Sequence, residues 1–168
     1  MHIKTIIALF FLSVTTSGCN LMLRGIDSKN RQKVEYIFLE SYEKYGKFTK
    51  ILTKNLKKFS ISAKDTNEKF DKTIPIIKIL DVSEKTFPSL ILDNGEVGVK
   101  KMVVSAKIVI QLGEKKMPYT IKTSRSFLTE ENHPTGSESE KDILREESYQ
   151  YISEKIINQI FALYSFNR

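Results

Sequence analysis

Three strand-like segments follow one another between residues 74 and 128, and the two turns that separate them restrict the fold strongly. The middle segment, Val97 to Gln111, alternates so that one face carries five apolar side chains: Met102, Val104, Ala106, Ile108 and Ile110. Alternation over this length predicts a strand with one buried face. The flanking Asp93-Asn94-Gly95 and Gly113-Glu114 are typical of tight turns, because Asn and Gly tolerate a positive φ. The sequence therefore predicts two consecutive β-hairpins.

The outer strands of these hairpins are predicted at Ile74 to Leu92 and at Pro118 to Leu128. We expect the first to be interrupted near Ser83-Glu84-Lys85. Pro88 indicates a bulge or a sheet edge, because proline has no N–H to donate to a neighbouring strand. Upstream, the run from Val34 to Leu39 is rich in β-forming residues and predicts one more strand.

Two further segments have the spacing of amphipathic helices. From Tyr45 to Phe59, apolar residues recur at helical spacing and lysines occupy the remaining surface. From Ser139 to Tyr164, a longer apolar stripe predicts the last helix, after a polar loop at Thr129 to Ser139. Ser139 together with Asp142 predicts the capped start of that helix.

The predicted order is strand, helix, three strands in hairpins, helix. This order predicts an α+β fold of two layers, in which two helices pack on one face of a mostly antiparallel, four-stranded sheet. The other face of such a sheet has no helix to cover it, so we expect the functional surface there. No linker rich in Pro or Gly divides the chain, and residues 19–168 are predicted to form a single domain.

Residues 1–18 have the features of an export signal. Lys4 gives a positive start, Ile6 to Leu12 is apolar, and mostly small residues lead up to Cys19. The apolar run is shorter than the ~20 residues that span a bilayer, which favours a cleaved signal. Cys19 directly follows Thr16-Ser17-Gly18, so we predict a lipoprotein signal with acyl chains on Cys19 as the membrane anchor. The alternative, an ordinary signal-peptidase site, would leave an unpaired thiol in an oxidising compartment, which is a liability.

The formal net charge of the chain is +7. In an exported protein this charge favours anionic lipid head groups, phosphorylated glycolipid or an acidic partner surface. Nucleic acid is not an expected partner behind an export signal. A solvated basic surface has the same net charge, so only cations that gather on one face indicate a binding site.

No residues in the sequence have the spacing of a catalytic or metal site. His133 is the only histidine after the predicted signal, and it lies beside Pro134 in the polar loop, where we interpret it as a solvated side chain. Glu130-Glu131 and Glu146-Glu147 are adjacent pairs, whose side chains diverge on a helix or a strand. A Gly-rich phosphate-binding loop is also missing. We therefore expect a protein without catalytic activity, cofactor or metal.

Basic residues on the predicted strands are the candidates for a binding site. If the apolar face of the strand Val97 to Gln111 meets the helices, Lys101 and Lys107 point to the uncovered face. In the next strand the alternation places Lys122 on that same face, opposite Lys107 or one register step away. Like charges at this separation repel, so either an anion bridges them or both are simply solvated. Arg125 shares the parity of the apolar residues, and we expect it to reach a helix terminus or an acid of the last helix.

Two segments resemble the LPS-assembly lipoprotein family LptE (RlpB). The first is Gly18 to Gly25 (GCNLMLRG), which is similar to the family's lipobox followed by Leu-Arg. The second is Tyr119 to Phe127 (YTIKTSRSF), which is similar to a family strand of the form Lys-x-x-Arg-Ser-Phe. In the family, as in this chain, an acidic loop and a long C-terminal helix come next. The order of the elements is also similar over most of the chain after Cys19.

The resemblance implies an outer-membrane lipoprotein on the periplasmic side, which plugs the β-barrel LptD in a one-to-one complex, assists its assembly and binds lipopolysaccharide. It also implies, by motif match, that Lys122 contacts lipopolysaccharide; Lys107 and Lys101 are added as candidates because of their strand parity. The family's second basic position falls near Asp93-Asn94-Gly95 in this chain, where Lys100 or Lys101 could take its place. The alternative is a general periplasmic lipoprotein adaptor, whose basic sheet face binds anionic lipid or a protein partner.

Overall fold

The computed structural model describes residues 34–65, 73–128 and 134–166 of the chain. Within them, two helices pack against one face of a mixed, five-stranded sheet. The predicted α+β class and the predicted placement of both helices are therefore confirmed. The predicted signal segment, Cys19 and His133 lie outside the described residues.

Seven elements make up the described part of the chain. The helices are α1 (Lys47–Lys58) and α2 (Pro134–Phe166). The strands are β1 (Tyr36–Ser41), β2 (Ser62–Lys64), β3 (Ile76–Ile91), β4 (Val97–Leu112) and β5 (Lys115–Leu128). The predicted start of the last helix at Ser139 is wrong, because α2 already begins at Pro134. Proline is well suited to the first helical turn, where its missing N–H has no partner to lose.

The sheet has five strands in the order β2-β1-β3-β4-β5, where the sequence predicts four. The additional strand, β2, is only three residues long, which is too short to show an alternating pattern. β1 pairs in parallel with both β2 and β3, whereas β3, β4 and β5 are antiparallel. The sheet is therefore mixed, because α1 crosses over between the parallel neighbours β1 and β2.

β3 runs without a break from Ile76 to Ile91, so the interruption predicted near Ser83-Glu84-Lys85 is wrong. These polar residues remain in the strand because each of them pairs with a residue of β4. The bulge predicted at Pro88 is confirmed, since the pairing register shifts between Pro88 and Leu90.

Both predicted hairpin turns are present. Gly95 has a φ of 85° and Gly113 a φ of 61°, values that glycine adopts without the strain a Cβ would cause. In the first turn, the side chain of Asn94 accepts a hydrogen bond from the backbone N–H of Glu96 at 3.1 Å. These local interactions set the ends of β3, β4 and β5.

The hydrophobic core lies between the sheet and the two helices. The predicted apolar face of β4 is confirmed, since its five side chains are at most 1 % exposed: Met102, Val104, Ala106, Ile108 and Ile110. They pack with the buried stripes of α1 and α2, which consist of Phe48, Leu52, Leu56, Ile152, Ile156, Ile157 and Ile160. Apart from Ala106, burial of each of these side chains contributes roughly 1.5–3 kcal/mol. The chain has one cysteine, so this packing stabilises the fold without an internal disulfide.

Candidate functional site

The face of β3, β4 and β5 that is turned away from the helices carries the predicted lysines, and we call it the open face. Burial of the apolar residues of β4 turns Lys101 and Lys107 to the open face, where both are exposed. The register then places Lys122 on the same face: Lys122 lies opposite Ser105, and Lys107 lies opposite Thr120. Lys107 and Lys122 are therefore diagonal neighbours, one register step apart. Such neighbours are about 7–8 Å apart at the backbone, so two flexible lysines can reach a common anion.

Asp81 is an acid that the sequence analysis did not place on this face. Simple alternation from the buried Ile79 would turn Asp81 toward the helices. An irregularity in β3 between Ile79 and Asp81 shifts the register instead, so that Asp81 pairs with Lys107. A carboxylate directly across from an ammonium group offsets its charge. Lys122 lies directly opposite the uncharged Ser105, so no carboxylate faces it in register on β4.

Three more lysines lie on the open face. Lys78 already forms an ion pair, because its ammonium group is 2.6 Å from a carboxylate oxygen of Glu40. Lys85 pairs with Val103 and Lys116 pairs with Gln111, and both lysines are exposed. The sequence analysis missed Lys85 because it lies in the predicted interruption of β3. It missed Lys116 because the predicted strand began at Pro118.

The open face changes from basic to apolar toward the β3–β4 turn. Lys101 pairs with Phe87, which is 49 % exposed, and the next row joins Leu90, Val99 and Leu128. Leu90 is 51 % exposed and Leu128 is 62 % exposed. We call Phe87, Leu90, Val99 and Leu128 the apolar end. Ammonium groups next to exposed hydrocarbon suit a ligand that has an anionic head and apolar tails.

Arg125 lies on the helix side of β5, opposite Met102, as the alternation of the strand predicts. Its guanidinium donates a hydrogen bond to the carbonyl of Ser124 at 3.3 Å. Among the described side chains, no acid of α2 accepts from Arg125. The predicted pairing of Arg125 with an acid of the last helix is therefore wrong, whereas a contact with a helix terminus stays a prediction; a different arginine links that helix to the sheet.

That arginine is Arg145 of α2, which pairs with Glu84 on the helix side of β3. The guanidinium donates two hydrogen bonds to the Glu84 carboxylate, at 2.5 and 3.1 Å, and Lys141 lies 3.6 Å from the same group. Asp142 also accepts a hydrogen bond from Arg145. The hydrogen bonds from Arg145 lower the pKa of Glu84 from its ordinary value. These residues fasten the first half of α2 to the sheet.

Two further observations concern the described residues alone. In them, no group of three or more His, Cys, Asp or Glu side chains could hold a metal ion. The helices within these ranges also lack the combination of length and apolar character that crossing a membrane requires.

No protein-family model matches the sequence. Solved structures are similar to this chain over most of its length. The rare lipoprotein B of Shewanella oneidensis is similar with a TM-score of 0.69 at 16 % identity, covering 79 % of this chain and 97 % of that chain. A lipoprotein B of Nitrosomonas europaea has a TM-score of 0.65 at 13 % identity, with coverage of 83 % and 94 %. A minor lipoprotein of Acinetobacter baumannii has a TM-score of 0.58 at 14 % identity, with coverage of 77 % and 92 %.

At these identities the likeness concerns the fold, and it includes nearly the whole of each solved chain. It agrees with the resemblance that the segments around Cys19 and Lys122 predict. The two helices and the hairpin sheet thus have the same architecture as these three solved structures. This chain has the fold of the rare lipoprotein B (RlpB/LptE) structures.

Proposed function

We propose that this chain is an outer-membrane lipoprotein of lipopolysaccharide transport, anchored through Cys19 and seated in an LptD-like β-barrel. It binds lipopolysaccharide on the open face without catalysing a reaction. The fold that it shares with rare lipoprotein B and the lipobox-like end of its signal segment support this role. The observation that carries the proposal is the order of groups along the open face, where adjacent lysines lead into the apolar end.

The proposed ligand has phosphate groups next to acyl chains. The diagonal pair Lys107 and Lys122 brings two ammonium groups to one phosphate, and each charge-assisted hydrogen bond is worth about 1.5–3 kcal/mol when it is partly desolvated. Lys101 lies beside Phe87, where the head group gives way to the tails. Acyl chains that lie along the apolar end remove its exposed hydrocarbon from water.

Substitution of the lysines tests this proposal. We expect Lys122→Glu to weaken lipopolysaccharide binding at least tenfold without unfolding the protein, from the loss of one charge-assisted contact. We expect Lys107→Glu to have a smaller effect, because Asp81 already offsets that charge. Competition with labelled lipopolysaccharide measures the affinity, and circular dichroism checks the fold.

Lys54→Glu is the matched control, because Lys54 is an exposed lysine of α1, away from the open face. It changes the net charge by the same amount and is expected to leave binding unchanged. If the double variant of Lys107 and Lys122 binds as well as the unaltered chain, both lysines are merely solvated and the proposed site is wrong.

A further inference from the structure

Among the described residues, the edges of the sheet include β2, the second half of β3, and β5. β2 is at one end of the sheet and is three residues long. β1 pairs with β3 only from Ile76 to Ile79, so in the described part of the chain the rest of β3 pairs with β4 on one side and has no neighbouring strand on the other. β5 is at the other end of the sheet, with its full 14 residues.

Two of these edges have features that prevent a further strand from pairing. β2 is too short to align a partner. In β3 the register shifts at three places, and Pro88 removes a backbone donor. Short length, bulges and proline are the ordinary means by which proteins protect sheet edges.

The edge of β5 is different. Its register with β4 continues over fourteen pairs, from Lys115 to Leu128, without a shift. Beyond Pro118, residues 119–128 contain neither proline nor glycine and include the β-forming residues Tyr119, Thr120, Ile121, Thr123 and Phe127. Every second residue of an antiparallel edge strand turns its N–H and C=O away from the sheet. This stretch therefore offers a regular, unbroken row of backbone hydrogen-bonding groups.

The side chains of β5 determine which strand can pair there. β5 carries four cations, Lys115, Lys116, Lys122 and Arg125, and has neither Asp nor Glu. A second copy of β5 would bring like charges across the new pairing, which destabilises it. An acidic strand forms opposite-charge pairs at the same positions. The charges that disfavour pairing with a second β5 therefore favour pairing with an acidic strand.

We propose that β5 binds an extended, acidic segment of a partner protein as a sixth strand along residues 119–128. In this segment, acidic residues alternate with β-branched ones. Every second side chain of an added strand lies on the same face of the sheet as Lys122, and the others lie on the face that carries α2. The backbone supplies the affinity and the alternate side chains supply the specificity. The backbone contacts lie along the edge of the sheet and not on its open face, while Lys122 belongs both to this edge strand and to the proposed lipopolysaccharide site.

Hydrogen exchange on the full chain in detergent tests the proposal. The probe is a synthetic peptide of about ten residues in which Glu and Val alternate, and its counterpart alternates Lys and Val. With the Glu peptide we expect the outward N–H groups of residues 119–128 to exchange at least about tenfold more slowly, because they gain hydrogen bonds. With the Lys peptide we expect no change. Equal protection by both peptides, or protection by neither, would overturn the proposal.

A pair of serine variants locates the binding edge. Ser124 is an exposed residue of β5, and Ser124→Glu should weaken binding of the Glu peptide about fivefold through like-charge repulsion. Ser83→Glu makes the same change on β3, where Ser83 pairs with Ser105 of β4. Its effect on peptide affinity should be negligible. The reverse result would assign the peptide to the edge of β3 and refute the role of β5.

Discussion

At the scale of single residues, one irregularity in β3 changes the electrostatics of the open face. It turns Asp81 from the helix side to the open side, directly across from Lys107. The two lysines that alternation groups together are consequently unequal. Lys107 has a carboxylate partner in register, whereas Lys122 lies opposite Ser105.

This difference gives a prediction for Asp81→Asn. The substitution removes the negative charge beside Lys107 and keeps a side chain of similar size. We expect affinity for lipopolysaccharide to rise up to about fivefold, as one unfavourable charge near the phosphate is lost. The competition assay measures it, with Glu154→Gln on the exposed side of α2 as the control of equal charge change. Weaker binding by Asp81→Asn would mean that Lys107 is not a contact.

At the scale of elements, the two halves of α2 are attached to the sheet in different ways. The fully buried isoleucines of α2 all lie between Ile152 and Ile160. Earlier in the helix, Ile143 is 61 % exposed and Leu144 and Tyr149 are only partly buried, and the pair of Glu84 and Arg145 adds a polar attachment there. Both of these side chains are only about one fifth exposed, at 21 % and 22 %.

Substitution of Glu84 by Gln tests this attachment through its pH dependence. Because hydrogen bonds from Arg145 hold the pKa of Glu84 below its unfolded value, the pair stabilises the fold above the unfolded pKa of about 4.3. That stability is lost as the pH falls through the lower, folded pKa. We expect Glu84→Gln to reduce the free energy of unfolding by about 1–3 kcal/mol at pH 7. The difference should shrink as the pH falls below about 4, because the wild-type carboxyl is then neutral as well.

Urea unfolding at a series of pH values measures this difference. Glu146→Gln is the control, since Glu146 is 52 % exposed and lies 4.0 Å from Lys47, a distance at which a surface pair contributes little. If the deficit of Glu84→Gln were the same at acid and neutral pH, the charge of Glu84 would not be its cause.

At the scale of the whole molecule, the helices cover one face of the sheet and leave the other available to a partner. Val103 and Val109 lie half-buried between the lysines of the open face, and the apolar end is exposed beyond them. A surrounding barrel wall would cover both. The proposed function therefore requires a large interface rather than a small contact.

We expect a one-to-one complex with a large outer-membrane β-barrel that survives purification in detergent. Its interface should exceed the ~2,000 Å² typical of obligate pairs. A photo-crosslinking residue at Val103 or Val109 should yield one dominant product with that barrel. The same residue at Lys54, on the solvent side of α1, is the comparison position. Crosslinks from Val103 and Val109 to many unrelated proteins, or to none, would favour the general adaptor.

Much of this architecture can be predicted from the sequence because it is local. The alternation of β4, the helical spacing from Phe48 to Leu56 and the glycines of the two turns each depend on residues close together in the chain. The same alternation was enough to predict that Lys101, Lys107 and Lys122 share a face, and the structure places them so. Their role as ligands of lipopolysaccharide remains a prediction.

The tertiary structure decided what depends on register and on contacts between distant residues. β2 becomes a strand because β1 lies beside it, since three residues alone carry no periodic signal. Asp81 reaches the open face through a bulge, and Glu84 meets Arg145 from 61 positions away. Periodicity along one segment determines which side of that segment is apolar. It does not determine how two segments align, because alignment is set by the packing of the whole sheet against its helices.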